Sequence, residues 1–354
     1  MMRIVKVNRK WDHLRLAVEN FTKQEILSDV KFIHRSLPEI DISDVDLSTN
    51  LYGKTQPLPL LFNAMTGGFR EAKQVNYKLA LTAKKFGFPM AVGSQKVALE
   101  NTYAEDSFKV VREAYPRGFI LANIGAYASP EMAAKACEMI AADAVQIHLN
   151  VPQELAMKEG DRHFSGYLNN ILKIREAINL PVVIKESGFG IKRQELETFS
   201  DLGIDGVDIS GNSGTNFVHL ENQRFQNHTS FAVQNWGQST GEALLEASGF
   251  GFHKLDFIAS GGFAHPIDLA KALAFGVKSI GLAAYPVYLL WNYGEKKLIS
   301  EIENIIVELK KVFLALGAKH ISDLSCKPLV LKGKLLEYAN QRGINASGFA
   351  RRNG

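Results

Sequence analysis

Four stretches decide the fold: GFILANIG (118–125), AVQIHLN (144–150), PVVIKES (181–187) and GVDISG (206–211). Each is short and ends on small or polar residues, and most are rich in Val, Ile, Leu or Ala without alternation. A half-buried strand alternates with period two, whereas an unbroken apolar run suits a strand covered on both faces. The pattern continues outward, with PLLFNAM (59–65) and PMAVGS (89–94) before these four and LDFIASGG (255–262) and SIGLAAY (279–285) after them. Helical patterns lie between. Residues 71–86 carry Val75, Leu79, Leu81 and Ala83 among lysines, residues 130–141 open on Ser129-Pro130, and residues 268–275 stop before Gly276. Ser-Pro is a cap and first-turn pair, and glycine is a common helix stop. Evenly spaced strand and helix units of this kind predict an α/β fold, a (β/α)8 TIM barrel over residues 59–290, in preference to an open doubly wound sheet.

The remainder reads as additions to one domain spanning 1–354. Residues 1–58 form an N-terminal extension. Residues 212–254 make a long connection after the sixth strand, and long connections are more often functional than idle. Residues 291–354 read as a C-terminal helical cap and tail. Leu298, Ile302, Ile305, Ile306, Leu309, Val312, Phe313 and Leu316 share one helix face that ends at Gly317. Residues 318–354 beyond it read as a peripheral cap with a frayed end.

Hydrophobic residues make up 46% of the 354 and charged residues 22%, which excludes bulk disorder. Lys and Arg number 41 against 37 Asp and Glu, a net charge of +4 that is too dispersed for nucleic acid. The two cysteines, Cys137 and Cys326, form no CxxC pair, which argues against zinc ribbons, iron–sulfur sites and disulfide frameworks. No apolar run is long enough for a signal core or a membrane span, so the expectation is a cytoplasmic protein without a membrane partner.

Active sites of such barrels sit at the carboxyl ends of the strands. There the chain offers Met65-Thr66-Gly67-Gly68, Gly93-Ser94-Gln95, Asn123, Lys185 and Ser210-Gly211-Asn212-Ser213-Gly214-Thr215-Asn216. Ser260-Gly261-Gly262 and Gly281-Leu282-Ala283-Ala284, after strands seven and eight, stand where barrels commonly bind phosphate. Glycines there also make ordinary tight turns, and Lys185 is either a fixed charge for an anionic ligand or a side chain reaching solvent. Strand four carries the densest polar group, Gln146, His148, Asn150, Gln153 and Glu154. It suits either a ligand or a hydrogen-bonded strand end, and one carboxylate alone does not define a metal site. Arg9, Lys10 and His13 could grip a diphosphate or form a solvated charged segment. No Gly-x-Ser-x-Gly elbow or other hydrolytic triad is legible.

Several of these segments, in order over about residues 5–335, resemble the flavin-dependent type 2 isopentenyl diphosphate isomerases. They are Arg9-Lys10-Trp11-Asp12-His13, Met65-Thr66-Gly67-Gly68, Gly93-Ser94-Gln95, Asn123-Ile124-Gly125-Ala126, Gln146 through Glu154 with Glu159-Gly160-Asp161-Arg162, Val183 through Gly190, Gly214-Thr215-Asn216-Phe217 and Ala259-Ser260-Gly261-Gly262. QIHLNVPQE (146–154) is the most specific of them.

The resemblance implies an isomerase of isoprenoid biosynthesis that interconverts isopentenyl and dimethylallyl diphosphate by a 1,3 proton shift on reduced FMN. It also implies Mg2+, NADPH to reduce the flavin, and a homo-oligomer, tetramer or octamer. FMN would be surrounded by Ala64, Met65, Thr66, Ser94, Asn123, Lys185, Ser210, Thr215, Ser260, Gly261, Gly262, Ala283 and Ala284. Arg9, Lys10, His13, Ser94, Asn123, His148, Gln153 and Glu221 would meet the substrate, Glu154 would bind Mg2+, and His148, Gln153 and Lys185 would carry the chemistry. Where the family reads Ser-Gly-Arg-Gly-Gly-Thr and Ser-Gly-Gly-x-Arg, this chain has Asn212 and Ala264 in the arginine positions. Phosphate binding would then fall to backbone N–H groups. Two rivals share the barrel. An FMN oxidoreductase of the 2-hydroxy-acid oxidase type would use His265 as base but lacks its arginines, and a non-catalytic flavin-binding barrel would not need the strand-four cluster.

Overall fold

The computed structural model describes residues 2–224 and 232–353, with residues 2–8 by backbone alone. Eight parallel strands close into a barrel: β1 (Leu60–Phe62), β2 (Met90–Ala91), β3 (Ile120–Gly125), β4 (Ala144–Leu149), β5 (Val182–Glu186), β6 (Gly206–Asp208), β7 (Asp256–Ser260) and β8 (Ser279–Leu282). Each lies inside one of the apolar runs, as double burial of a parallel strand demands. Leu61, Ala91, Leu121, Ala144, Val183 and Ile258 fill the interior, joined by Leu51. Leu51 comes from a hairpin, Thr49–Leu51 with Lys54–Gln56, and the adjoining Tyr52 N–H donates to Asp256 at the start of β7 (2.7 Å). The barrel is therefore plugged from its amino-terminal end.

The helices include α1 (Met2–Glu19), α2 (Arg70–Phe86), α3 (Pro130–Met139), α4 (Phe217–Arg224), α5 (Thr240–Phe250), α6 (Pro266–Phe275), α7 (Ala284–Tyr293) and α8 (Glu295–Leu316). Of these, α2, α3, α6 and α8 form within a few residues of where the pattern placed them, and the other four carry no such expectation. Ser129 caps α3 by accepting from the Met132 N–H, and Gly317 ends α8 with φ +59°. On α8, Leu298, Ile302, Ile305, Leu309, Phe313 and Leu316 are buried, with Ile306 and Val312 packed beside them.

Two expectations are corrected. The stretch 212–254 is not one long connection: it holds α4 and then α5, the barrel's own helix, whose start Ser239 and Glu242 mark as a capping box. Its residues 225–231 lie outside the described residues. The tail is not frayed over its described length. Leu329–Leu331 pairs antiparallel with Val30–Phe32 of the extension, and Ile344 and Phe349 are buried. Arg342 adds a bidentate contact to the buried Glu246 on α5 (2.7 and 3.0 Å). Among the described residues no helix is long and apolar enough to cross a membrane.

Candidate active site

A cavity of about 1160 Å³ opens at the carboxyl end of the barrel. Its roof is one face of α1: Lys10, His13 and Ala17, at helical spacing, line it, with Arg9 beside them and Asn20 just past the helix end. Lys10 Nζ donates to the carbonyls of Gly67 (3.0 Å) and Ser94 (2.7 Å), tying the helix to the loops after β1 and β2. Burial, and then the neighbouring Arg9 charge, push the Lys10 ammonium down to about 7.

The floor is built around a residue that the sequence reading passed over. Asp208, fully buried on β6, accepts from Lys185 Nζ (2.9 Å), Ser260 Oγ (2.5 Å) and Asn63 Nδ2 (2.6 Å). Parallel register places His148, Lys185 and Asp208 side by side on β4, β5 and β6. Lys185 is thus neither a free charge nor a side chain reaching solvent, because its ammonium lies on a carboxylate. Gly281 is required here, since a Cβ on it would lie 2.6 Å from Asn63 Nδ2. The available signal was Asp208 itself, one charge inside a strand of unbroken burial.

On the wall, His148 Nδ1 lies 2.7 Å from Asn123 Oδ1. An amide oxygen only accepts, so the imidazole proton sits on Nδ1 and Nε2 remains an acceptor. Burial, then the charges of Lys185, Lys10 and Lys96, push the His148 imidazole down to about 3. The ring is neutral at ordinary pH, which suits orienting a ligand better than donating a proton. Glu154 follows on a short helix, Val151–Ala156, and its oxygens accept from Asn150 Nδ2 and the Asp161 N–H (both 2.8 Å). Arg162 buttresses that turn by donating to the carbonyls of Glu154 and Met157.

Of the residues expected to meet flavin, substrate or metal, all line the cavity except Glu221. That carboxylate is fully buried behind His13, bonded to His13 Nε2 and to Arg224 Nη1 (2.6 Å). Burial favours its neutral form, but His13 and Arg224 outweigh it and hold the Glu221 carboxyl below its ordinary value. Glu221 therefore meets His13 and Arg224 and stands behind the cavity lining. His265 is also absent from the lining, where a 2-hydroxy-acid oxidase would need its base. The sequence reading also missed Lys96, 4.0 Å above the Tyr127 ring, and Tyr127, both at the wall.

The residues fit FMN on two observations. The loops after β6 and β7 are pressed backbone to backbone: a Cβ on Gly261 would lie 2.3 Å from Gly211 O, and one on Gly262 2.4 Å from Ser213 O. With Ala283 and Ala284 at the N-terminus of α7, these glycines leave a cradle of main chain at the cavity edge, the usual chemistry of a phosphate site. In addition, Thr66 lines the cavity, and its buried Oγ1 has no hydrogen-bond partner, an orphaned polar atom at the cavity wall. For Mg2+, among the described residues no cluster of three or more metal-binding side chains exists. Glu154 alone still suits an ion that takes one or two carboxylates and completes its shell with phosphate and water.

Residues 125–331 match the FMN-dependent dehydrogenase family model. The chain is 39% identical over 351 residues to an isopentenyl-diphosphate delta-isomerase of Listeria monocytogenes, covering 99% of this chain and 98% of that protein. It is likewise 39% identical over 340 residues to that of Staphylococcus epidermidis, covering 95% and 97%. Among solved structures, the flavin-binding domain of baker's yeast flavocytochrome b2 aligns with TM-score 0.65 at 19% identity, over 88% of this chain and 77% of that one. A mandelate oxidase variant aligns with TM-score 0.60 at 15% identity, over 91% and 92%. These two share the barrel alone, whereas the relatives match from end to end, and the chain belongs to the flavin-dependent isopentenyl-diphosphate delta-isomerase family.

Proposed function

We propose that this chain interconverts isopentenyl and dimethylallyl diphosphate by a 1,3 proton shift, with FMN as resident cofactor. One observation carries the reading. A single cavity has two anion-binding ends, a glycine cradle after β6 to β8 and a cationic roof of Arg9, Lys10 and His13 on α1. One end suits the flavin phosphate and the other a diphosphate substrate.

An unactivated alkene is a poor proton acceptor, and His148 on the cavity wall is held neutral and so is a poor proton donor. Reduced FMN, when bound, supplies ring nitrogens able to give and take the proton. The chain's own residues supply the rest. Ala64, Met65, Thr66, Ser94, Asn123, Ser210, Thr215, Ser260, Gly261, Gly262, Ala283 and Ala284 hold the flavin, and Lys185 sets positive charge beside it. Arg9, Lys10 and His13 grip the diphosphate, with Glu154 sharing a Mg2+ ion with it. Ser94, Asn123, His148 and Gln153 orient the hydrocarbon end, and α1 excludes water. Glu221 fixes His13 from behind. NADPH serves only to reduce FMN. The extension, barrel and tail work as one domain in a cytoplasmic homo-oligomer, tetramer or octamer.

The test is an anaerobic incubation in D2O with isopentenyl diphosphate, FMN, Mg2+ and NADPH, read by mass spectrometry. Deuterated dimethylallyl diphosphate, formed only with flavin and in excess of NADPH oxidised, is the expected result. An oxidised product without isomer would establish the oxidoreductase reading, and flavin binding without turnover the non-catalytic one. Lys185→Ala is expected to keep the fold and lose activity, and near-normal rates would refute its role.

A further inference from the structure

We infer that Asp208 is the positioning residue of this site, a buried carboxylate that holds Lys185 and Ser260 in place and offsets part of the Lys185 charge beside the flavin. The inference rests on the flavin reading above and deepens it. Asp208 does not line the cavity, but three of its hydrogen-bond partners, Lys185, Ser260 and Asn63, do. They come from β5, from β7 and from the end of β1, and so from separate parts of the barrel wall. No other carboxylate bonds Lys185 among the described residues, and the remaining acceptor of its ammonium is the Glu186 carbonyl at 3.0 Å. A buried carboxylate is costly unless paired and hydrogen-bonded, and this one is saturated by charged and neutral donors. Asn63 is itself held, since its Oδ1 accepts from the Ala64 N–H at 2.8 Å. Ala64 lies on the cavity wall, so the same carboxylate reaches the backbone expected against the flavin.

A lysine without a carboxylate partner would stabilise an anion at this position more strongly and would favour reduced, anionic flavin over oxidised flavin by more. The Lys185–Asp208 pair presents an oriented ammonium with a weaker net field. Asp208 thereby sets how strongly reduced flavin is preferred, and it keeps the ammonium pointed in one direction. The diphosphate end, roofed by α1, is not part of this network.

The test is a redox titration of FMN-loaded protein against a reference dye, for wild type, Asp208→Asn, Lys185→Gln and the double variant. Asp208→Asn should raise the flavin potential by about 30 mV or more, the two-electron equivalent of a tenfold shift toward reduced flavin. Its kcat should fall while KM for isopentenyl diphosphate changes less than about twofold, a split that a merely structural residue would not give. Lys185→Gln should lower the potential, and the double variant should lie between the singles. If Asp208→Asn does not fold, the neutral double variant against Lys185→Gln carries the same comparison, with an upward shift expected. An unchanged or lowered potential in Asp208→Asn, or identical potentials for Lys185→Gln and the double variant, overturns the inference while the flavin reading stands. Wild-type protein that takes up no FMN overturns both.

Discussion

Lys10 should make substrate binding consume a proton. Its ammonium is pushed from 10.5 to about 7 by burial between α1 and the loops after β1 and β2, and by Arg9. At about pH 8 roughly one lysine in ten then carries the proton in the free enzyme. Contact with a diphosphate requires the ammonium, so binding at that pH takes up about 0.9 proton. Charging the amine first costs about 1.4 kcal/mol, or a tenfold weaker Kd than in mild acid, and the penalty grows tenfold per unit of further rise. Above about pH 7.5 the diphosphate itself is fully ionised and contributes little. The assay is calorimetric titration of the oxidised, non-turning-over holoenzyme with isopentenyl diphosphate, in two buffers of different ionisation enthalpy. The slope of observed enthalpy against buffer enthalpy counts the protons. A value below about 0.2, or the same slope in Lys10→Gln, would refute the assignment. Fold stability carries a matching sign. The native state holds fewer protons than the unfolded chain between about pH 7 and pH 10.5, so this group's contribution rises with pH across that window and is lost toward neutrality.

His148 should stay neutral to about pH 4, because its folded value is about 3, so imidazole 15N shifts should be flat between about pH 8 and pH 5. A midpoint in that window would refute the burial argument. The same shift means that stability falls as the pH drops below 6.5, by about 1.4 kcal/mol per unit. Gly262→Ala places a Cβ 2.4 Å from Ser213 O at φ +97°, so FMN affinity by fluorescence titration should drop by on the order of tenfold with circular dichroism unchanged. Wild-type affinity would mean that the loops after β6 and β7 are not pressed together. Leu309→Ala empties a fully buried site on α8 and should cost about 2–5 kcal/mol in urea unfolding, where a loss under about 1 kcal/mol would contradict the packing.

The strands were legible because double burial leaves a local mark, an unbroken apolar run with small or polar residues at its end. The long α8 was legible for the corresponding reason at a period of 3.6. The fate of 240–250 was harder to read, since α5 is buried around most of its circumference, Glu246 included, and shows little amphipathic contrast. The tail was misread because Leu329–Leu331 is short and finds its partner strand in the distant extension.

Sequence alone determined the number and order of the barrel strands, the loops that reach the mouth and the polar residues on them, because each depends on neighbours a few positions away. Only the tertiary structure decided which charges meet. His13 and Glu221 are 208 positions apart, and Asn63 and Asp208 are 145 apart. Barrel closure brings such groups together out of water, where a paired charge interacts more strongly and an unpaired polar group costs more than in solvent. That is why Asp208 is inconspicuous in GVDISG and central in the folded barrel, and why Glu221 meets His13 behind the cavity lining.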